Sequence, residues 1–260
     1  MPWSMANVYV SLPVFLLVLS RVAGLMLAAP LFSGAMIPTQ INVLLALAMS
    51  LAVFPLMTVQ VAGPVTLGSA VGGLAGELAI GLVLGLGVSL IFIGVQVAAQ
   101  LVSQQAGLAL GEIFNPLLEA STTELSQLYF IVSMGVFLAV DGHHALVRAL
   151  MDSFSAIPLL GFKPDGRLID LLIGVIGSSF AIALRVGGPV MLALMLGFVT
   201  LGFISRTVPQ LNLLTVGFPV KLAMALFLAA MTMISLEPVL IDGLNGVMDE
   251  LREGLGMAVN

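Results

Sequence analysis

The chain has 260 residues, of which 60% are hydrophobic and only 8% are charged, and its formal net charge is −5. Soluble domains carry about 25% charged residues, so this composition is typical of an integral membrane protein. The eight Lys and Arg residues are scattered, which argues against a nucleic-acid partner. Because the chain has no cysteine, disulfides, thiolate catalysis and thiolate metal sites are excluded.

Seven apolar runs, bounded by Pro, Gly or polar clusters, are predicted to be helices. They cover residues 8–29, 40–61, 66–109, 125–140, 145–157, 168–204 and 222–251. A membrane-embedded backbone must satisfy its own hydrogen bonds, and the alternating pattern of a barrel is missing from the sequence, so the fold class is all-α. The first run is not preceded by Lys or Arg, and we interpret it as a retained helix.

Several of these runs have the wrong length for one simple crossing, which takes about 20 residues. The third and sixth runs are too long for one span, and the fourth is short. We therefore expect bent and broken helical hairpins that lie partly outside the hydrocarbon. Gly187, Gly188 and Pro189 predict a kink in the sixth run.

The third run contains pairs of glycines four residues apart, Gly72 with Gly76 and Gly81 with Gly85. This spacing places small residues on one helix face and predicts close packing against another helix. The alternative is that glycine is simply frequent in membrane helices.

Polar residues also share one face of the third run. They are Ser89, Gln96, Gln100, Ser103 and Gln104. Amides facing lipid would lose hydrogen bonds at about 1–3 kcal/mol each, so we expect this face to meet protein or water. Either a pore lining or a subunit interface satisfies that requirement.

Three charges fall within or at the edge of apolar runs, namely Arg21, Glu77 and Arg185. A charge at the bilayer centre costs at least about 2.5–3.5 kcal/mol, so we predict that these charges are buried and that each arginine finds a carboxylate, backbone carbonyls or the interface. For Arg21 and Glu77 a structural ion pair is favoured over a proton relay, which would need a series of acids or histidines.

Catalytic motifs are missing from the sequence. It contains neither a phosphate-binding Walker loop nor a Gly-x-Ser-x-Gly turn, so we expect no enzyme activity and no cofactor. The stretch Asp141-Gly142-His143-His144 is interpreted as a helix start with Asp141 as a possible cap. Adjacent histidines are expected to point to different sides of a helix, so we predict no metal site.

Five groups of motifs run along nearly the whole chain in order. They are Arg21-Val22 with Ala29-Pro30-Leu31-Phe32-Ser33 and Pro38; Glu77 with Gly81 and Gly85; Gln105-Ala106-Gly107-Leu108 before Asn115-Pro116; Gly142-His143 with Ser153-Phe154 and Ile157-Pro158; and Arg206-Thr207-Val208-Pro209-Gln210-Leu211-Asn212 before Gly217-Phe218-Pro219-Val220-Lys221. In order and spacing this set resembles the FliR family, the flagellar type III export-gate proteins. Gly217-Phe218-Pro219 is more similar to the flagellar branch than to the related injectisome proteins.

The resemblance implies a non-enzymatic core subunit of the flagellar export gate. One copy would join several FliP and FliQ subunits in a closed helical ring, with FlhB against it, around a channel for unfolded flagellar proteins. Residues 1–160 would form a FliP-like part and residues 161–260 a FliQ-like helical hairpin. The assembly would sit in the bacterial inner membrane and flagellar basal body, displaced toward the periplasm.

The resemblance also implies roles for two loops. Residues 105–121 would form a plug in the channel, with Gln105, Gly107, Gly111, Glu112, Phe114, Asn115 and Pro116 as its characteristic residues. Sequence alone favours a plain solvated turn there, because Asn115-Pro116 is typical of a helix end. The turn of the hairpin would carry Arg206, Pro209, Gln210, Asn212, Phe218, Pro219 and Lys221, and its positive charges favour the cytoplasm.

Two residues depart from the family pattern. Asn115 stands where the family usually has Asp, and Asp141 stands where it usually has Asn, so we assign no acidic role to Asn115. Other functions are open: an injectisome export-gate subunit, a small-solute secondary transporter, and a scaffold that only anchors partners. A transporter would be expected to show two related halves and a binding site at the membrane midplane, and the sequence contains neither signal.

Overall fold

The computed structural model describes residues 5–32, 38–55, 67–108, 123–162, 166–207 and 217–256. Within these residues the chain forms eight α-helices and no β-strand, which confirms the predicted all-α class. The helices are α1 (Met5–Ala28), α2 (Thr39–Val53), α3 (Leu67–Ala106), α4 (Glu124–Ala139), α5 (Gly142–Ala156), α6 (Gly166–Thr207), α7 (Phe218–Ile234) and α8 (Leu236–Gly254).

The predicted seventh run is divided into α7 and α8, and Pro238 explains why. The proline lies in the first turn of α8, where its missing N–H is tolerated. In a continuous helix its ring would clash with the carbonyl of Ile234, four residues earlier, and α7 ends at that residue. By contrast, α6 continues through Gly187, Gly188 and Pro189.

Among the described residues, two helices are long and apolar enough to cross a membrane, residues 71–106 of α3 and the whole of α6. The number rises to four if α4 with α5 and α7 with α8 each form one broken span. In α1 and α2 the apolar segments are shorter, residues 12–28 and 39–53. The chain is therefore a helical membrane-type protein with fewer candidate spans than apolar runs.

The described helices group into two compact units, each assembled from separate stretches of the chain. Unit 1 comprises Met1–Leu90, Asp141–Ile176 and Leu244–Asn260, and unit 2 comprises Ile91–Val140 and Gly177–Gly243. The predicted FliP-like and FliQ-like parts, 1–160 and 161–260, concern relationship to other proteins, which these units do not test. That division remains a prediction.

Each unit has its own apolar core. In unit 1, buried aliphatic side chains of α1, α3 and α5 lie in the interior, among them Leu17, Leu25, Ile80, Leu84 and Leu150. In unit 2, the Phe92 ring packs edge-on against Phe130 and Phe137 at centroid distances of 5.8 and 5.4 Å. Edge-to-face rings are a favoured aromatic arrangement.

Candidate functional site

A buried ion pair lies at the centre of unit 1. Arg21 of α1 and Glu77 of α3 face each other, and both side chains have 0% exposure. The Arg21 Nη2 atom lies 2.6 Å from Glu77 Oε2, and Arg21 Nε donates to the same oxygen at 2.7 Å. The structure thus brings together the two charges that the sequence analysis paired.

The rest of the guanidinium is also satisfied. Arg21 Nη1 donates to Ser153 Oγ at 3.2 Å, and Nη2 donates to the carbonyl oxygen of Ile157 at 3.1 Å. The Phe154 ring lies under the guanidinium, with its centroid 4.3 Å from Cζ. These partners sit at the end of α5, so the arginine ties α1 to α5 as well as to α3.

Glu77 in turn holds the connection from α5 to α6. Its Oε1 accepts a hydrogen bond from the Leu160 N–H at 3.0 Å. Leu160 has a φ of 65°, a left-handed conformation that is uncommon for a bulky residue. Sequence reasoning missed Ser153 and Leu160, although Ser153 stands in one of the motifs that carry the resemblance.

Glycines allow α1 and α3 to approach closely in unit 1. A Cβ at Gly81 would lie 2.0 Å from the Arg21 carbonyl oxygen, and one at Gly85 would lie 2.6 Å from the Leu25 carbonyl oxygen. Gly24 of α1 meets the Leu78 carbonyl oxygen in the same way, at 2.4 Å. No side chain fits at these positions.

The other predicted glycine pair behaves differently. Gly72 is exposed, and a Cβ there would meet nothing within 4 Å among the described residues. Gly76 meets only the Phe162 side chain, at 3.2 Å. Among the described residues of this chain no helix approaches Gly72 or Gly76 closely, so close helix packing at this pair stays a prediction.

The five polar residues of α3 do not share one environment. Ser89, in unit 1, is buried and donates to the Ala28 carbonyl oxygen. In unit 2, Ser103 is buried, Gln96 is half-buried, and Gln100 and Gln104 are exposed. One helical face meets different neighbours along a 40-residue helix. Its exposed part, Gln100 and Gln104, is available for a pore or a subunit interface.

α3 ends in a C-terminal capping motif at the start of the segment predicted to form the plug. Gly107, at φ 89°, donates to the Gln104 carbonyl oxygen at 3.1 Å, and Leu108 N donates to the Ser103 carbonyl oxygen at 3.1 Å. This pair of bonds is a Schellman motif, in which the glycine occupies the left-handed position. Next to it, Gln105 Nε2 donates to the Met191 carbonyl oxygen of α6 at 3.0 Å.

The chain resumes at an equally well-held start of α4. Thr123 Oγ1 accepts from the Ser126 N–H at 3.3 Å and caps the helix. Ser126 Oγ donates to the Gln96 carbonyl oxygen of α3, also at 3.3 Å. We call residues 103–108 and 123–126 the two stems. Gly111, Glu112, Phe114, Asn115 and Pro116 lie between them, outside the described residues.

Arg185, the third of these charges, is not buried by the described residues of this chain, and its burial in an assembly stays a prediction. Its side chain is 63% exposed, and its nearest carboxylate oxygen, on Asp242, is 4.0 Å away. A helix passing through an apolar region still has an outward face, and Arg185 lies on it. The sequence could show that the charge sits among apolar residues, but not which face those residues cover.

The hairpin turn is described only at its edges. Arg206, Phe218 and Pro219 are exposed, and Lys221 Nζ lies 5.1 Å from the centroid of the Phe198 ring. Pro209, Gln210 and Asn212 lie outside the described residues. The cytoplasmic position of this turn stays a prediction.

The start of α5 contradicts two expectations. The imidazoles of His143 and His144 do not point to different sides but lie 4.2 Å apart, centroid to centroid. Asp141 precedes the helix, yet its carboxylate makes no capping bond and instead lies 3.0 Å from His144 Nδ1. The 100° rotation between successive helical residues separates their Cβ atoms, but the χ angles let the two rings turn toward each other.

Comparison with known proteins gives a match over most of the chain. Residues 12–247 match the family described as bacterial export proteins, family 1. The chain belongs to this family. The predicted resemblance to FliR proteins is confirmed by relatives that carry that name.

Among relatives of this export family, the flagellar biosynthetic protein FliR of Caulobacter vibrioides is 26% identical over 235 residues, covering 90% of this chain and 93% of that protein. FliR of Bacillus subtilis is 26% identical over 225 residues, 85% of this chain and 86% of that protein. The surface presentation of antigens protein SpaR of Shigella flexneri is 27% identical over 141 residues, 54% of each chain. These two flagellar relatives therefore match far more of the chain than SpaR does.

Proposed function

We propose that this chain is a core subunit of the flagellar type III protein-export gate, where it helps form and close the channel for unfolded flagellar proteins. Membership of the export family and the near full-length match to flagellar FliR proteins support this function. The observation that carries the closing role is the pair of stems, which hold residues 109–122 between fixed helix ends of unit 2.

The composition of this segment suits a movable closure. Gly111 lowers the cost of changing the backbone conformation, and Phe114 supplies bulk. Both stems are held by hydrogen bonds to backbone carbonyls, at Met191 and at Gln96. The segment therefore has fixed ends and a bulky apolar middle, as a resting plug requires.

Large apolar side chains on α6 and α7 support contact with other export components and with lipid. The exposed ones include Leu192, Leu196, Phe198, Phe203, Phe227 and Ile234. An isolated protein rarely exposes so much apolar surface, which marks sites of protein or membrane contact. In the proposed assembly FliP, FliQ and FlhB cover part of these faces in the inner membrane, with the gate displaced toward the periplasm.

A small-solute transporter gains little support from the described residues. In unit 1, a cleft of about 510 Å³ lies at the start of α6 and the end of α8, and Arg167, Asp170 and Glu253 line it. A transporter site is expected where helices are broken near their middle. Transport of a small solute is therefore treated as one possible result of the experiment below.

The experiment removes residues 110–116 from the chromosomal gene and leaves both stems in place. We expect ions to leak through the assembled gate, because the closing segment is gone. A voltage-sensitive dye measures the membrane potential, and swimming in soft agar measures export of flagellar proteins. A strain without the gene is the control. Its membrane should not leak ions, because it assembles no gate.

A finer pair of variants tests the stem. Gln105→Leu removes the hydrogen bond to Met191, worth about 0.5–1.5 kcal/mol, and should raise leakage several-fold through a looser plug. Gln127→Leu is the matched control, because Gln127 is an exposed glutamine of α4 for which no role is predicted. If the strain that lacks residues 110–116 assembles the gate, leaks no ions and swims normally, the proposed closing role is wrong. If that strain leaks no ions but no longer swims, the chain is a scaffold. If it loses uptake of a small solute, the chain is a transporter.

A further inference from the structure

We propose that Asp141, His143 and His144 form a binding site for a divalent transition-metal ion, Zn²⁺ above all. One ligand atom from each of the three side chains lies within 4.8 Å of the other two. Two imidazole nitrogens and one carboxylate oxygen form a ligand set that Zn²⁺ accepts, with a fourth position left for water or a partner's side chain.

The backbone at Asp141 directs its carboxylate toward the histidines. Asp141 has φ 57° and ψ 28°, a left-handed conformation that aspartate tolerates better than most residues. Its carbonyl oxygen accepts from the N–H groups of His144 and Ala145 at 2.9 and 3.2 Å, which starts α5. The side chain is left out of capping, and Oδ1 lies 3.0 Å from His144 Nδ1.

His143 supplies an observation independent of that contact. Its Nδ1 atom is buried and makes no hydrogen bond to any of the described residues. A buried nitrogen without a partner costs about 1–3 kcal/mol, a cost that a hydrogen bond or a metal ion removes. The ring of His143 lies 4.2 Å from that of His144, so a bound ion is within reach of both rings.

Small side-chain rotations bring these atoms to metal-binding distances. Ligand atoms of a tetrahedral zinc site lie about 3.4 Å apart, since each is about 2.0–2.2 Å from the ion. Asp141 Oδ1 and His144 Nδ1 are 3.0 Å apart, and the three ligand atoms all lie within 4.8 Å of one another, so the movements required are small. Asp141 and His144 have mostly exposed side chains, 73% and 64%, which are free to rotate.

The local charge limits the affinity. A cation near a helix N-terminus meets the positive end of the helix dipole, which opposes binding. The Asp141 carboxylate offsets it. Arg148 and Asp152 follow one and two turns along α5, and both are exposed. Because Asp141 brings the negative charge, its neutral isostere should weaken binding strongly.

The test uses the intact membrane complex, purified through a tag without histidine. The complex is stripped with a chelator and titrated with zinc chloride alone in a calorimeter, and bound zinc is counted by mass spectrometry. We expect the original complex to take up one more zinc ion per chain than Asp141→Asn or His144→Gln. Each variant should weaken binding at that site on the order of tenfold or more.

Asp152→Asn is the matched control, a neutralised exposed carboxylate on the same helix, and it should bind zinc as the original does. Cobalt gives a second readout, because its visible absorption reports nitrogen and oxygen ligands and should be lost in both site variants. Equal zinc uptake by the original, Asp141→Asn and His144→Gln would overturn the site. Absence of uptake by the original complex would show that Asp141 and His144 form only a local hydrogen-bonded pair.

Discussion

Arg21 and Glu77 each bring a full charge into a region without solvent exposure, and their partners explain why the charges are tolerated. Between them they bind Ser153, Ile157 and Leu160, so the ion pair links α1 and α3 to the end of α5 and the segment that follows it. A buried pair of this kind adds little net stability compared with apolar residues of the same size, but the loss of one partner is costly.

We therefore expect Arg21→Leu to destabilise the protein by about 3–5 kcal/mol, because it leaves the Glu77 carboxylate buried without a counter-charge. The melting temperature of the purified complex should fall on the order of 10 °C. Arg185→Leu, at an exposed arginine, is the control and should have little effect. The double change Arg21→Leu with Glu77→Leu should recover part of the loss. Equal melting temperatures for the two arginine variants would contradict this account.

At the scale of elements, α3 is packed differently along its length. Its first half approaches α1 at Gly81 and Gly85, where backbone atoms of α1 occupy the space that a side chain would need. In unit 2 it meets α6 at Gly94, where a Cβ would lie 2.5 Å from the Ser179 carbonyl oxygen. The sequence analysis paired only glycines four residues apart, and Gly94 has no such partner, because Leu90 and Ala98 stand at those positions.

Gly81→Ala should disrupt the contact of α1 with α3, because even one methyl group would overlap the Arg21 carbonyl oxygen. Overpacking of this kind costs about 1–3 kcal/mol, and more where backbone must move. Gly72→Ala is the control, and in open space it should be neutral or stabilise the helix by up to about 1 kcal/mol. Thermal melting of the complex and the yield of assembled gate distinguish them. A Gly81→Ala complex as stable as Gly72→Ala would refute the close approach.

At the scale of the whole molecule, much of the apolar surface of α6 and α7 is left exposed by the described part of the chain. The exposed residues there include Met195, Val199, Leu226 and Met231 in addition to those named above. Such surface needs lipid or protein neighbours, which agrees with a subunit of a larger membrane assembly.

Production of the chain with and without the other export components tests this need for neighbours. Produced alone, it should be recovered in lower yield and aggregate more readily in detergent, because its apolar faces lack their partners. Co-produced, it should purify in a complex whose intact mass exceeds that of the chain. A stable monomer recovered equally well in both cases would contradict the prediction.

The general character of this protein could be predicted from its sequence. Low charge and long apolar runs require a helical membrane-type protein, because the backbone must satisfy its own hydrogen bonds. The ordered motifs identified the family, and the isolated charges at Arg21 and Glu77 required partners. These conclusions depend on composition and local spacing, which a linear sequence contains in full.

The pairing of particular surfaces was decided only by the tertiary structure. Gly72 and Gly81 have the same local pattern, yet among the described residues only Gly81 meets another helix. Arg185 lies on an exposed face of this chain although its neighbours in the sequence are apolar. The rings of His143 and His144 approach to 4.2 Å although successive helical positions are rotated by about 100°. Helical periodicity determines which residues share a face. Which element packs against that face depends on residues far away in the chain.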